Sequence, residues 1–513
     1  MSHSIKVVTV ITKYKDSVSL VNIATAFSIL GKISSSEKHT IRNDLKKSLG
    51  FTNLISVLEE RIDKFETREF INILVGLVKI GYYNENLFNK LVEKCLELSI
   101  TDPQHLAMTA WAFAKVDHYS KELFRALKNE SIKKIRGFNP QNIANTAWAF
   151  AKVDHYSETL FDALENESIK NIRGFNPQNI AMTAWAFAKV DHYSKELFRA
   201  LKNESIKKIR DFNPPNMTTI ALAFAKVDHY SKTLFDALRD ESIKNIREFN
   251  PQNIANAAWA FAKVDHYSET LFDALKNGSI KKISEFNPQN IANTAWAFAK
   301  MNHYSETLFD ALRDEFIKNI REFNLHELVN TAWAFAVFNK KDIVKNIIDY
   351  IIENYHMSKL RLKTKVQLIQ AASLFKNEYS GLIGQIRGDH AIETNSSTLQ
   401  KEIYPLLVQI GKGISFSEEE EVIANCIVDI AINANKIAIE IDGPSHYADN
   451  FSSNHHLLGK NRLKKNILLA NDWSLIRIPY FDWDNKTTEG ARKEYLIKLL
   501  KDKGLIFPEK RKR

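Results

Sequence analysis

The chain carries two cysteines in 513 residues, Cys95 and Cys426. That excludes a disulfide framework and a cysteine-built zinc site, and it fits a reducing compartment. No apolar run is long enough to cross a bilayer. The stretch Met1 to Lys15 holds a short Val-Val-Thr-Val-Ile run but no signal-peptide cleavage pattern. It reads as a ragged start to the fold, with a weak organellar presequence as the alternative. Acidic residues are outnumbered, 61 against 71 Lys and Arg, for a formal net charge of +10. The excess favours an anionic partner, nucleic acid before membrane surface. An apolar content of 44% is ordinary for folded protein, and the length leaves room for several domains. Prolines are scarce, eleven in all, yet six of them recur in step at Pro103, Pro140, Pro177, Pro214, Pro251 and Pro288.

Those prolines open copies of one text. From Pro140 it reads PQNIANTAWAFAKVDHYSETLFDALENESIKNIRGFN, 37 residues, and a weaker copy starts at Leu325. A fixed period of this size marks a solenoid, in which each unit buries its apolar face only against its neighbours. Asn139 and its equivalents precede the prolines as N-caps, and proline suits the first helical position because its missing N–H would be unpaired there. The pattern predicts a first helix over Pro140 to Lys152 and a turn at Val153-Asp154-His155-Tyr156. A second helix, capped by Ser157, carries Leu160, Phe161, Leu164 and Ile169. Ile143, Ala147 and Phe150, widened by Ala144, Trp148 and Ala151, form the core stripe. The tryptophan column (Trp111, Trp148, Trp185, Trp259, Trp296, Trp333) is assigned to packing rather than base stacking.

The outward face is expected to carry Gln141, Asn145, Ala149 and Lys152. Counting proline as one, position six reads Met108, Asn145, Met182, Thr219, Asn256, Asn293 and Asn330 in successive units. Its neighbours hardly change, yet this column alternates between apolar and hydrogen-bonding side chains. A lysine follows two turns later, as Lys115, Lys152, Lys189, Lys226, Lys263 and Lys300. One polar residue and one positive charge per unit suit single-stranded RNA: lysines neutralise phosphates and an amide or hydroxyl bonds a base edge. The bland alternative is a solvated helix face. Met108 and Met182 fit base reading least. The recurring histidines (His118, His155, His192, His229, His266, His303) lie one repeat apart, too far to share a metal ion, and read as turn residues.

Residues 1–100 hold two degenerate copies, Ser17 to Phe27 with Asn22 at position six and Thr67 to Leu74 with Asn72. The main array spans 101–361. The Pro214 unit is its odd member, with Pro215 for glutamine and Leu222 for tryptophan, and reads as a loosened joint. Residues 362–423 contain a last repeat helix, Lys365 to Phe375, with Gln370 at position six. A polar linker at Gly381 to Ser397 and a short helix at Leu399 to Gly411 follow. This makes ten units, for on the order of ten nucleotides. Residues 424–500 switch to strand periodicity. Cys426–Ile432 and Lys436–Asp442 pair around Asn433–Asn435, Leu457–Asn471 is a basic helix, Trp473–Ile478 a third strand and Glu489–Lys501 a final helix. Residues 501–513 form a basic tail.

In this small α/β domain Glu440 and Asp442 share a strand face, and a neighbouring strand brings Asp429 beside them. Three acids on one sheet need a cation or donor, so Asp429 and Glu440 would hold Mg²⁺ if the domain cleaves RNA, with His446 as proton carrier. RNA binding itself requires no cofactor. The structural alternative has Asp442 capping the strand and Glu440 pairing with Arg462 or Lys464. On the helix, Lys460, Arg462, Lys464 and Lys465 are candidate phosphate contacts.

The repeat text PQNIANTAWAFAK with its second helix resembles the octatricopeptide repeats of organellar RNA-binding proteins, although the unit is slightly shorter than that family's. The resemblance implies an RNA-binding α-solenoid reading about one nucleotide per unit. Residues 424–500 resemble the RAP domain, through VDIAI, KIAIEIDGPSHY, Gly459 and LKKNILLANDWSLIRIPYFDW in that order. The RAP domain is in turn similar to the restriction-endonuclease-like fold of very-short-patch repair nucleases, which use an acid on one strand and an acid-x-lysine pair on the next. The resemblance places Asp429 and Glu440 at the acids and Asp442 where the lysine would stand, with His446 similar to the histidine of repair-type relatives. The expectation is a mainly α protein, an α-solenoid of 37-residue hairpins followed by a small α/β domain. It would act as a monomer on single-stranded RNA in a bacterial cytoplasm or organelle matrix, in RNA processing, stability or translation. An array-guided, metal-dependent endoribonuclease and a protein-interaction scaffold are the competing readings.

Overall fold

The computed structural model describes residues 18–36, 39–357, 360–387, 397–448 and 455–505. The Met1–Lys15 segment, most of the region after Gly388 in the expected linker and the basic tail from Pro508 lie outside them. Two compact units divide between Leu238 and Arg239, inside the second helix of the odd Pro214 repeat.

Each repeat folds as its text predicts. The second unit's first helix is Pro140–Lys152, and the Asn139 side chain accepts a hydrogen bond from the Asn142 N–H at 2.9 Å. In three units the third-position asparagine returns the bond, completing a capping box, as between Asn176 and Asn179. The helix stops because Asp154 enters the left-handed region, φ 54°, which aspartate and asparagine tolerate better than most side chains. The equivalent positions Asp117, Asp191, Asp228, Asp265, Asn302 and Asn339 do the same. Second helices such as Glu158–Asn171 end in a 3₁₀ turn that seats the buried Phe175 under the next unit. Ser120, Ser194, Ser268 and Ser305 cap their helices, but Ser157 bonds to Thr159 instead.

Ten first helices are present among the described residues. In the N-terminal unit Leu20–Ser36, Thr67–Ile80, Pro103–Lys115, Pro140–Lys152, Pro177–Lys189 and Pro214–Lys226 pack in succession. In the C-terminal unit Pro251–Lys263, Pro288–Lys300, Leu325–Val337 and Leu362–Ala372 do the same. Small buried residues make that close stacking feasible: Ala144, Ala147, Ala149 and Ala151 are all solvent-free. At the N-terminal end a Cβ on Gly76 would lie 2.5 Å from the backbone oxygen of Phe27, so that pair of helices requires the glycine. Between units Phe124 meets Phe150 edge-on at 5.2 Å and Phe161 meets Phe187 at 5.0 Å. Truncating Phe150 to alanine would cost about 3–5 kcal/mol.

The expected linker is partly a helix, Ser380–Arg387, because Leu382 and Ile386 bury against the last repeat. After helix Thr398–Ile410, four strands form a sheet in sequence order: β1 Ser417–Ile423, β2 Cys426–Ile432, β3 Ile437–Asp442 and β4 Ser474–Pro479. β1–β2 and β2–β3 are antiparallel, and β3–β4 is parallel through the Gly459–Ala470 crossover helix. Sequence periodicity missed β1, whose SEEEEVI text alternates nothing apolar and reads as a poor strand former. Ile437, Ile439 and Ile441 join Ile403, Leu407, Leu496 and Leu500 in one core. The alternate β3 residues, including Glu440 and Asp442, therefore point to the opposite face.

No helix among the described residues is long and apolar enough to cross a membrane.

Candidate nucleic-acid interface

Position six is partly exposed throughout the main array: Met108, Asn145, Met182, Thr219, Asn256, Asn293 and Asn330 are all half-buried. Asn72 is also half-buried and Asn22 is exposed. The face around the column differs from expectation. Ala149 is buried between first helices, and Trp148 takes its place, so the open face runs Gln141, Asn145, Trp148, Lys152. The spacing of four, three and four residues keeps these four in line, whereas residue 149 rotates toward the neighbouring helix. Trp111, Trp148, Trp185 and Trp259 are only half-buried, and only Trp296 and Trp333 are buried as the packing assignment required. Trp148 and Trp185 lie 6.3 Å apart between ring centroids, and Trp259 and Trp296 lie 6.2 Å apart. The tryptophans thus form a semi-exposed wall beside position six. That wall is the element sequence reasoning missed. Its signal was present in the four-three-four spacing.

The lysine column is engaged. Lys152 pairs with Asp117 at 2.5 Å, Lys189 with Asp154 at 2.9 Å, Lys226 with Asp191 at 3.5 Å and Lys300 with Asp265 at 2.9 Å. Lys189, Lys226 and Lys300 also donate to a carbonyl at the end of the preceding first helix. Asp117, Asp154 and Asp191 are largely solvent-exposed, so their pairs with Lys152, Lys189 and Lys226 are weak and screened, whereas the Lys300–Asp265 pair is more buried. Lys115 sits 6.0 Å from the Trp148 ring, and Lys263 belongs to the same column. Two polar members of the reading column hold protein partners: Asn330 bonds His326, and Gln370 accepts from the Trp333 indole N–H at 2.9 Å.

The histidines stand in the turns, where His118, His155, His192, His229 and His303 each meet the tyrosine of the preceding repeat. Tyr119 bonds His155 at 2.7 Å, Tyr156 bonds His192 at 3.0 Å and Tyr267 bonds His303 at 2.9 Å. Burial holds His118, His155, His229 and His303 below the ordinary imidazole range.

In the C-terminal domain the structure brings Asp429, Glu440 and Asp442 to one sheet face and gives each a partner. Asp429 accepts the Ile441 N–H at 2.6 Å. Glu440, 1% exposed, has Lys464 Nζ 2.5 Å from Oε1. Burial pushes its carboxyl up to about 7 against the pull of Lys464. Asp442 is fully buried, is gripped by Arg477 through two bonds, one of 2.7 Å, and lies 2.8 Å from His446 Nδ1. Among the described residues no group of three or more His, Cys, Asp or Glu is arranged to hold a metal ion. A cation at Asp429 and Glu440 would have to displace Lys464, so the carboxylates as built do not fit Mg²⁺.

The basic helix divides its charges. Lys460 and Lys465 are exposed, Lys464 serves Glu440, and Arg462 lies 4.9 Å over the Phe338 ring and donates to Asn302 at 3.1 Å. Arg462 is therefore a docking residue rather than an open phosphate contact. Its neighbours complete the dock. Asn302 donates to the Leu457 carbonyl at 3.2 Å, His456 stacks on Tyr267 at 3.8 Å and donates to the Met301 carbonyl, and Asn466 donates to Val337 at 3.0 Å. The sequence did mark this spot, because Met301-Asn302 replaces the Val-Asp of the five preceding full units.

A family model described as RNA-editing substrate-binding complex 6 protein matches residues 2–270 and 232–366, and the RAP domain model matches residues 439–499. A chloroplastic RAP domain-containing protein of Oryza sativa subsp. japonica is 30% identical over 148 residues, 26% of this chain and 22% of the relative. The match thus spans about a fifth of that curated relative. A homology model of the full-length AP-3 complex in an intermediate open conformation aligns over 80% of this chain and 90% of its own, at 11% identity and TM-score 0.32.

Proposed function

We propose that this chain, which belongs to the RNA-editing substrate-binding complex 6 protein family and ends in a RAP domain, is a sequence-selective binder of single-stranded RNA that acts in RNA processing. The observation that carries the reading is the half-exposed position-six column, repeated every 37 residues beside a lysine and, in most units, a tryptophan. Asn145, Asn256 and Asn293 would each offer an amide to a base edge. Lys152, Lys189, Lys226 and Lys300 would exchange an aspartate for a phosphate, and the tryptophan wall would shield the bases from water. The octatricopeptide-like assignment of one nucleotide per unit, the monomeric state and an organellar or bacterial setting belong to the same proposal.

Binding ranks above cleavage because Lys464 and Arg477 already neutralise Glu440 and Asp442. Selection from a randomised single-stranded RNA pool tests the reading. One motif about as long as the repeat count supports it. Tight binding without a motif leaves a basic clamp, and no binding moves a protein-interaction scaffold to the front.

A further inference from the structure

The last repeat helix, Leu362–Ala372, and the RAP domain enclose a cavity of about 380 Å³. Val366 and Gln370 line it from the repeat side. Ile427, Glu440, Lys460 and Lys464 line it from the domain side. Gln370 is the position-six residue of its unit, so the cavity opens where the column Asn256, Asn293, Asn330, Gln370 of the C-terminal unit ends.

The lining selects among ligand classes. Much of the wall is aliphatic, which suits a flat ring rather than a solvated ion. At the polar end Glu440 is an acceptor and Lys464 a donor. Gln370, with its oxygen engaged by the Trp333 indole, offers its amide N–H groups. A lone anion would face the Glu440 carboxylate, and a lone cation would face two lysines. A heteroaromatic ring with both donor and acceptor edges satisfies both. The exposed Lys460 then stands at the rim, where a phosphate attached to such a ring would lie. Glu440, 1% exposed, is paired with Lys464 through Oε1, so a base edge would meet the ion pair rather than a bare carboxylate.

We infer that this cavity receives a single nucleotide, its base inside against Glu440, Lys464 and Gln370 and its phosphate on Lys460. The inference rests on the RNA-binding reading for its biological source, a nucleotide of the bound strand just beyond the last one read by the column. The pocket itself is tested without a bound RNA strand. Titration of the full chain with nucleoside 5′-monophosphates and with the matching nucleosides, followed by calorimetry, should give saturable binding at one site for at least one monophosphate. Binding should weaken at least tenfold for the nucleoside and for Lys460→Glu, which alters only an exposed side chain. Val366→Phe, on a half-buried position facing the cavity, should abolish it.

The source is read by cross-linking a selected RNA that carries a photoreactive base. A monophosphate that suppresses one cross-link to the domain without releasing the strand assigns the pocket to the strand. Saturable monophosphate binding that leaves every cross-link unchanged assigns it to a free nucleotide. Absence of saturable binding together with an unchanged cross-link pattern in Val366→Phe overturns the inference, as does binding that survives both variants. Failure of the array reading would look different, as loss of RNA selectivity with monophosphate binding intact.

Discussion

Lys189 reaches back one repeat, its Nζ 2.9 Å from the Asp154 carboxylate and 3.3 Å from the Lys152 carbonyl oxygen. The hydrogen bond from Lys189 holds the Asp154 carboxyl below the usual carboxylate range. The same link recurs along the array, so the positive column is pre-aligned by its own counterions. An RNA phosphate would replace an aspartate that solvent already screens.

That relationship predicts the behaviour of the lysines. Lys189→Ala should weaken binding to all RNA sequences alike and lower the salt slope by about 0.7. Asp154→Asn should strengthen binding at low salt. Measurement of Kd against salt concentration for two unrelated RNAs checks both, and a change confined to one sequence would refute the phosphate role.

The position-six residues should behave in the opposite way. Changing Asn145, Asn256 and Asn293 together to valine should relax selectivity at three motif positions with the salt slope unchanged. Repeating the RNA selection on the triple variant reads this directly. An identical motif would remove the column from base recognition.

The histidines predict a pH response in stability. Burial lowers the folded-state pKa of His118, His155, His229 and His303 from the ordinary 6.5, so the unfolded chain takes up protons first as the pH falls. Their contribution is complete above about pH 6.5 and is lost below it as the pH falls toward the folded-state values. Thermal unfolding of the repeats should therefore shift downward between pH 7.5 and 5.5, a window in which Glu440 of the C-terminal domain, raised to about 7, contributes in the opposite sense. A flat Tm over that window would contradict it.

The dock of the RAP domain predicts a steric effect. A Cβ on Gly459 would lie 1.8 Å from the Ala299 carbonyl oxygen, so Gly459→Ala should separate the Gly459–Ala470 helix from the C-terminal end of the Pro288–Lys300 helix at a cost of about 3 kcal/mol. Hydrogen exchange should rise around Met301–Asn302 and Leu457 while the N-terminal unit is unaffected. Asn302→Asp should produce a milder version, because a carboxylate cannot donate to the Leu457 carbonyl.

Arg477→Met should leave the buried Asp442 with only His446 Nδ1 beside it and destabilise the C-terminal domain by about 3–5 kcal/mol, with recovery in the Arg477→Met/Asp442→Leu double variant. Millimolar Mg²⁺ should neither raise its Tm nor induce RNA cleavage. Cleavage that needs Mg²⁺ and disappears in Asp429→Ala or Glu440→Ala would install the nuclease reading instead.

Local rules in the sequence determined a great deal of this molecule. Proline after asparagine, apolar spacing and an exact repeat set the first helices, their caps and their order, because those signals act over a few residues and recur unit after unit. The strands Cys426–Ile432 and Ile437–Asp442, and the shared face of Asp429, Glu440 and Asp442, were legible for the same reason: alternation and a tight turn suffice. Side-chain partners were not. Lys189 on Asp154, Arg462 on Asn302 and the choice of Lys464 over Arg462 for Glu440 were decided by which elements came to lie against each other. The helix Ser380–Arg387 and the glutamate-rich β1 formed because tertiary burial and pairing outweighed weak local preference. A charge is legible in the sequence, but its counter-charge is chosen by packing, and that choice separates an open phosphate contact from a structural pair.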